Sequence, residues 1–271
     1  MGRLNIAADD RNDQCAWSCL RKEAAAYSTK EPALSSFLHA TILEQENLGA
    51  ALVNHLSDKL ATTDFTALKL RRVLSEALEA DATIIDSAAK DLMATLDRDP
   101  ACRTCLQAFL YFKGYMAIQT HRFAHSLYNQ GRDLIAFHLQ NRSSENFGVD
   151  INPAAKIGHG IMLDHATGFV MGETAVVGNE CSILQGVTLG GTGKADEDRH
   201  PKIGNRVLIG AGASVLGNIH IGDDAKIAAN SVVLKPVSAK CTVAGVPAKP
   251  VGGACVESPA KTMDHSIGDE K

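Results

Sequence analysis

The sequence predicts an α+β chain in which an N-terminal α-helical domain precedes a parallel β-helix of hexapeptide repeats. Three observations carry this reading. Apolar residues follow a helical spacing from about Pro32 to Asn141; from Val149 onward branched aliphatics recur every sixth residue; and glycines multiply in that second half. An α-helix gathers apolar residues at spacings of three and four and a flat strand at two, so a period of six belongs to neither. The expected divisions are 1–146 for a helical oligomerisation domain, 147–252 for a catalytic β-helix and 253–271 for a flexible tail.

In the helical half, Leu34, Phe37, Leu38 and Ile42 share a face, as do Leu70, Val73, Leu74, Ala77 and Leu78, and then Ile84, Ile85, Ala88, Leu92 and Leu96. Pro100 ends that third helix, because the residue before proline disfavours the α region. Gly131 separates the next two, and five or more helices are expected before Phe147. The aromatic-rich stretch 110–130 holds His121 and His125 one turn apart. With no HExxH glutamate or third ligand nearby, it reads as a buried helix at a subunit contact rather than as a metal site.

In the second half, Ile151, Ile157, Leu163 and Phe169 fall in phase. After a two-residue slip come Met171, Val177, Ile183 and Leu189; after an interruption, Ile203, Ile209, Val215, Ile221, Ile227 and Val233. A six-residue unit with one inward aliphatic and a turn makes one short side of a parallel β-helix. Three units close a triangular coil, and coils stack at the strand spacing of ~4.8 Å. Each inward aliphatic is then expected above the one eighteen residues earlier, with glycines easing the corners. Spacing does not fix the hand of the coil, and parallel crossovers are overwhelmingly right-handed.

Composition excludes several classes of function. A formal net charge of −4 gives no global attraction to nucleic acid or anionic lipid. No run of eighteen apolar residues exists and the N-terminus has no apolar signal core, so a cytoplasmic protein is expected, with neither a membrane span nor export. Seven scattered cysteines do not form a secreted disulfide framework. Cys102-Arg-Thr-Cys105 is a lone CxxC in a helical pattern and reads as packed thiols, with structural zinc or redox chemistry as the alternative.

Solenoids carry function where the repeat is interrupted. Fourteen residues separate Leu189 from Ile203, and the extra ones form a glycine-rich loop that brings Arg199 and His200 over a cleft. Its GGTGK lacks the spacing of a nucleotide-phosphate loop and opens no helix. The other polar cluster is Leu163-Asp-His-Ala-Thr-Gly168. A histidine, with an unperturbed pKa of ~6.5, accepts a proton at neutral pH when a carboxylate orients its other nitrogen. Asp150, fifteen residues before His165 and so nearly one coil away, is a candidate for that carboxylate. From spacing alone, Asp164 and His165 serve equally well as decoration of a solvated corner, and His159 and His220 read as surface residues.

Four motifs in order carry a family resemblance: Asp150-Ile-Asn-Pro-Ala-Ala-Lys-Ile-Gly158, Met162-Leu-Asp-His-Ala-Thr-Gly168, Val187-Thr-Leu-Gly-Gly-Thr-Gly-Lys194 and Asp198-Arg-His-Pro-Lys-Ile-Gly204. Together they closely resemble serine O-acetyltransferase. Asp97-Arg-Asp-Pro-Ala101 and Leu110-Tyr-Phe-Lys-Gly114 look like the same family, so the match covers roughly residues 30 to 255. The resemblance implies a left-handed β-helix, a homotrimer paired into a hexamer through the helical domains, and inhibition by L-cysteine. It also implies the reaction, L-serine plus acetyl-CoA giving O-acetylserine and CoA, the first step toward cysteine. By the matched motifs His165 is the general base and Asp150 orients it; Asp99, Asp164, Arg199 and His200 hold serine; Gly191, Ala211, Lys226 and Ala229 line the CoA channel between adjacent β-helices. Acetyl-CoA is expected as co-substrate with direct transfer, no acyl-enzyme and no metal.

The sequence departs from the family's pattern in two places. Asn152 stands where the family usually has histidine, which bears on the positioning of Asp150. The last residues, Gly268 to Lys271, replace the terminal isoleucine that the family inserts into O-acetylserine sulfhydrylase, so weak or no binding to that partner is expected. The tail after Val251, polar and rich in glycine and proline, is expected to be disordered. Other readings are a hexapeptide acyltransferase acting on a sugar or amine, a β-helix carbonic anhydrase with three converging histidines, and a non-catalytic scaffold.

Overall fold

The helical half begins earlier than its apolar spacing indicates. In a computed structural model that describes residues 12–193, 197–254 and 258–267, α1 spans Asp13–Lys30, with the Asn12 side chain accepting from Cys15 N at 2.9 Å as its N-cap. Its buried stripe is Ala16, Cys19, Leu20 and Ala24, mostly small side chains that carry little periodic signal. A short α2 (Ser35–Leu38) runs into a π-turn, and of the expected face only Leu38 and Ile42 are buried. Then follow α3 (Leu48–Leu60), α4 (Ala67–Ala80), α5 (Thr83–Arg98), α6 (Cys105–Tyr111), α7 (Lys113–Asn129) and α8 (Asp133–Phe147). The α5 helix ends at Arg98, directly before Asp99-Pro100, and left-handed Gly131 separates α7 from α8. Helix α7 is buried from Gly114 to Ala124. Its aromatic stretch packs against α4, α5, α8 and the β-helix of the same chain, so its burial needs no neighbouring subunit.

Gly148, at φ +68°, closes α8 and turns the chain into the β-helix. The coils run β1 (Val149–Ile151), β2 (Lys156–Ile157), β3 (Met162–Leu163); β4 (Phe169–Met171), β5 (Val176–Val177), β6 (Ser182–Ile183); β7 (Thr188–Gly190), β8 (Lys202–Ile203), β9 (Leu208–Ile209); β10 (Ser214–Leu216), β11 (His220–Ile221), β12 (Lys226–Ile227); then β13 (Val232–Val233), β14 (Cys241–Gly245) and β15 (Ala248–Ala254). Three faces result: β1-β4-β7-β10-β13, β2-β5-β8-β11 and β3-β6-β9-β12-β14-β15. All pairings are parallel except that of β15 with β14.

The inward aliphatics stack in register. Ile151 lies under Met171, Leu189, Val215 and Val233 in turn, and Leu163 under Ile183, Ile209, Ile227 and Val243. The eighteen-residue step holds from Met171 to Leu189 and from Ile209 to Ile227. The step is twenty from Ile151 to Met171, where the slip is absorbed, and twenty-six from Ile183 to Ile209, where the loop leaves the stack.

Two buried cations fasten the helices to the coils. Arg122 of α7 donates through Nη2 to Asp91 at 2.6 Å and to Gly158 O at 2.7 Å, while the other Asp91 oxygen takes Ile161 N at 2.8 Å. Gln119 adds a 3.0 Å bond to Asp91. Arg98, at the end of α5, reaches Glu180 at 2.5 Å and both Cys181 O and Ser182 Oγ at 3.2 Å. Removing one partner of such a buried pair leaves an uncompensated charge, a loss of about 3–5 kcal/mol. Through Arg98 and Arg122 the end of α5 and the middle of α7 are therefore held at fixed positions on the first two coils. No helix among the described residues is long and apolar enough to cross a membrane.

Candidate active site

His165 follows β3 at the corner where the third face turns into the first. It and Ala166 both adopt left-handed backbone, φ +55° and +61°, before Gly168 at +79°. For non-glycine residues this conformation costs roughly 1–2 kcal/mol each. The turn closes on itself through Ala166 N to Asp164 O at 2.5 Å and Thr167 N to His165 O at 2.7 Å. The outcome is an imidazole with 75 % of its side-chain surface exposed, 3.7 Å from the Asp164 carboxylate. A structural histidine would be packed and satisfied, whereas this one is presented to solvent by strained backbone.

Asp150 sits on β1 between inward Val149 and Ile151 and therefore faces outward. The corner holding His165 is tied to the start of that strand by Gly168 N donating to Gly148 O at 2.7 Å. Among the described residues, the hydrogen bond recorded to the Asp150 side chain comes from Gln140 Nε2 of α8, at 2.6 Å, and not from His165. Gln140 is a neighbour of the candidate site that sequence reading missed, since nothing in a helical glutamine ten positions upstream signals it. Asn152, the departure from the family, turns its side-chain oxygen to Ala154 N at 2.9 Å and shapes the bend at Pro153.

Asp99 caps the C-terminus of α5 and accepts from Ala101 N at 2.7 Å. It lies close enough to Asp164 for the two charges to interact. The Asp164 carboxyl is pushed above its ordinary value, first by burial; the charge of His165 opposes the shift and that of Asp99 adds to it. One corner thus holds Asp164, Asp99 and His165, with Asp150 on the strand beside it. Two carboxylates in partial burial suit a cation such as an ammonium group.

The sign of the Asp164 shift gives a test. A raised carboxyl takes up its proton earlier as pH falls, which relieves the buried charge and favours the fold while removing a cation ligand. Asp164→Asn, measured at neutral pH, is expected to raise the KM for the ammonium-bearing substrate about 10-fold or more without lowering the melting temperature. A lower melting temperature with an unchanged KM would assign Asp164 a structural role instead.

Arg199 and His200 occupy a different corner, where the first face turns into the second. Arg199 donates to Glu173 at 2.7 Å, and its backbone N to Thr174 Oγ1 at 3.1 Å. His200 is 7 % exposed, and its Nδ1 accepts from Thr174 N at 3.3 Å. Burial, then Arg199, lowers its pKa. Its ring fills the space over Gly172, where a Cβ would lie 2.0 Å from Nε2, so glycine is required there. Lys202 fastens the return of the loop by donating to Asp198 at 2.5 Å and to Thr174 O at 2.9 Å. Residues 194–196 of the loop, including Lys194, lie outside the described residues.

The remaining candidates divide the same way. Gly191 lies against Arg199 and His200, while Ala211 and Ala229 stack on the His165 corner two and three coils further on, with Asn230 N donating to Ala211 O at 2.8 Å. Lys226, on the third face, donates through Nζ to Ser266 O at 2.6 Å and Asp264 O at 3.2 Å. The expected disorder of the tail does not hold there. Ser258 N is accepted by Asp224 at 3.1 Å, α9 (Pro259–Thr262) follows, and Ser182 Oγ donates to Ala260 O at 2.7 Å. Residues 255–257 and 268–271 lie outside the described residues, so the expectation about O-acetylserine sulfhydrylase rests on nothing described.

Elsewhere the chemistry-bearing residues are packed. Cys105 approaches Cys19 and Glu23 across the α1–α6 contact, and Glu23 already takes Leu106 N at 2.8 Å and the Cys19 thiol at 3.5 Å. Burial pushes Cys102 up to about 11, and the Cys19 thiol together with burial pushes Cys105 up, so both stay protonated and unreactive. His125 bonds Pro153 O at 2.7 Å, and burial lowers His121 to about 3, leaving it neutral. Among the described residues of one chain, no histidine joins a trio spaced to hold a metal ion.

Comparison with known proteins agrees with a helical region followed by a β-helix. Residues 16–120 match the family described as serine acetyltransferase, N-terminal, and residues 200–235 match the bacterial transferase hexapeptide repeat. Serine acetyltransferase of Haemophilus influenzae is 53 % identical over 249 residues, covering 92 % of this chain and 93 % of that protein. The chain belongs to the serine acetyltransferase family. A crystal structure of serine acetyltransferase from Vibrio cholerae superposes with a TM-score of 0.92 at 50 % identity, covering 94 % of this chain and 98 % of that one. A serine acetyltransferase in complex with cysteine gives 0.92 at 52 % identity, with 94 % and 99 % covered. One in complex with CoA gives 0.85 at 53 % identity, with 88 % and 100 % covered. The coils described above are the left-handed β-helix of serine acetyltransferases.

Proposed function

We propose that this chain transfers the acetyl group of acetyl-CoA to the hydroxyl of L-serine, with His165 as general base. The observation that carries the reading is the corner at 164–168, where strained backbone presents an exposed imidazole beside two carboxylates. A serine hydroxyl is a weak nucleophile until its proton is taken. His165 accepts that proton as Oγ bonds to the thioester carbonyl carbon. The tetrahedral oxyanion, stabilised by backbone N–H groups, collapses with cleavage of the C–S bond, and the imidazolium returns the proton to the departing CoA thiolate. Asp150, oriented by Gln140, stabilises the imidazolium. Asp164 and Asp99 hold the ammonium of serine and Arg199 its carboxylate, with His200 beside it. L-cysteine, nearly isosteric with serine, competes for the same groups.

The serine-holding residues of one chain lie at opposite ends of β4, a three-residue strand spanning about 10 Å, too far for one serine to bridge. The site is therefore completed between copies: the His165 corner of one chain meets the Arg199 corner of its neighbour about a threefold axis, with CoA lying between Gly191 of one and Ala211 and Ala229 of the other. Lys226, buried under the tail in this structure, reaches that channel from the third face. The helical domain pairs trimers, and exposed Leu68 and Leu134 supply apolar surface for it.

Release of CoA thiol on mixing the protein with acetyl-CoA and L-serine tests the reaction. Serine-dependent release that millimolar L-cysteine suppresses is expected. Release with a sugar or an amine but not with serine would overturn the acceptor assignment.

A further inference from the structure

Two residues of the helical half grip the turn that carries His165. Gly114, in the first turn of α7, lies so close to the end of β3 that a Cβ there would stand 1.9 Å from Leu163 O and 3.3 Å from the Ala166 Cβ. The same peptide is held from its other side, where Asp164 N donates to Ile183 O at 2.8 Å. At the far end of the turn Lys113 Nζ donates to Thr167 Oγ1, while Thr167 O accepts from Gly186 N at 2.9 Å. His165 and Ala166, the two left-handed non-glycine residues, lie between these clamps.

A turn of that conformation does not hold itself, because its own short hydrogen bonds leave the strained φ values uncompensated. Support has to come from the elements packed on it. The coils alone supply the strand side; the outer side is supplied by α7, which Arg122 locks onto Gly158 and Asp91. We propose that Lys113 and Gly114 are positioning residues for the reaction: the start of α7 fixes the aim of the His165 imidazole, so the helical domain sets the catalytic geometry as well as the assembly. Gly114 acts by having no side chain, which allows α7 to seat on the Leu163 carbonyl. Lys113 acts by tethering Thr167 and so holding the turn at its second end. This rests on His165 being the base.

The test is a steady-state comparison of Lys113→Met, Thr167→Val, their double variant, Lys113→Arg and Gly114→Ala, with His165→Ala measured alongside. Misplacement of a base by about 1 Å costs up to ~10²-fold in turnover. Lys113→Met is expected to lower kcat about 10-fold with both KM values within about 2-fold and an unchanged melting temperature. Lys113→Arg is expected to recover most of the loss, and the double variant to be no slower than either single one, as for two partners of one contact. Gly114→Ala is expected to lose ~10²-fold in kcat. Folded Lys113→Met and Gly114→Ala proteins with wild-type kcat, or a loss of melting temperature alone, would overturn the proposal, and if Gly114→Ala does not fold, Lys113→Met decides. Retained turnover in His165→Ala would instead overturn the base assignment, so the two failures are distinguishable.

Discussion

His165→Ala is expected to lower kcat by on the order of 10²- to 10⁴-fold, the range that general-base assistance supplies. The fold should survive, since the imidazole is largely exposed. Alanine is disfavoured at φ +55°, so His165→Asn, which tolerates left-handed backbone, is the companion variant and is expected to lose the same activity with less effect on stability. Thiol release at saturating serine and acetyl-CoA reads the effect. Near-normal turnover at neutral pH in either variant would mean that another group removes the serine proton.

Complementation between inactive chains is the second large effect. Arg199→Ala alone is expected to lose ~10²-fold in kcat/KM for serine, because a charged hydrogen-bonding partner of the carboxylate is gone. If the His165 corner and the Arg199 corner that share a serine belong to different chains, a trimer holding both His165→Ala and Arg199→Ala chains contains one interface in which both residues are intact. Co-expressed with two affinity tags, verified as mixed trimers by native mass spectrometry, such trimers should regain about a third of wild-type activity. Each variant purified alone should stay near background. Mixed trimers no more active than the better single variant would place the whole site within one chain.

Much of the fold was legible because one physical constraint repeats. Between the slip and the loop every sixth side chain enters a core too narrow for anything but a stacked aliphatic, and Ile151, Leu163, Ile227 and Val233 stack as the period indicates, whereas Phe169 pairs with Val149 and Met171 takes the place above Ile151. The two candidate corners stood out in the sequence because polar residues at 164–165 and 199–200 lie beside breaks in that repeat, where a solenoid frees its chain from the stack. Helix α1 was not, since alanine and cysteine bury a face without marking it.

Sequence by itself determined the β-helix, its inward residues and the residue types available for base catalysis, because each depends on side chains a fixed short distance apart in the chain. Tertiary structure alone decided which neighbours those residues have. The coil step becomes twenty and then twenty-six residues around the slip and the loop, so the contact of one coil with the next cannot be counted at eighteen. Asp150 takes Gln140 from α8, the His165 turn takes Lys113 and Gly114 from α7, and His165 precedes β4 while Arg199 bonds Glu173 and Thr174 just beyond it. None of these contacts has a period, because each joins segments whose separation is set by how the helical half packs on the coils and not by any repeat along the chain.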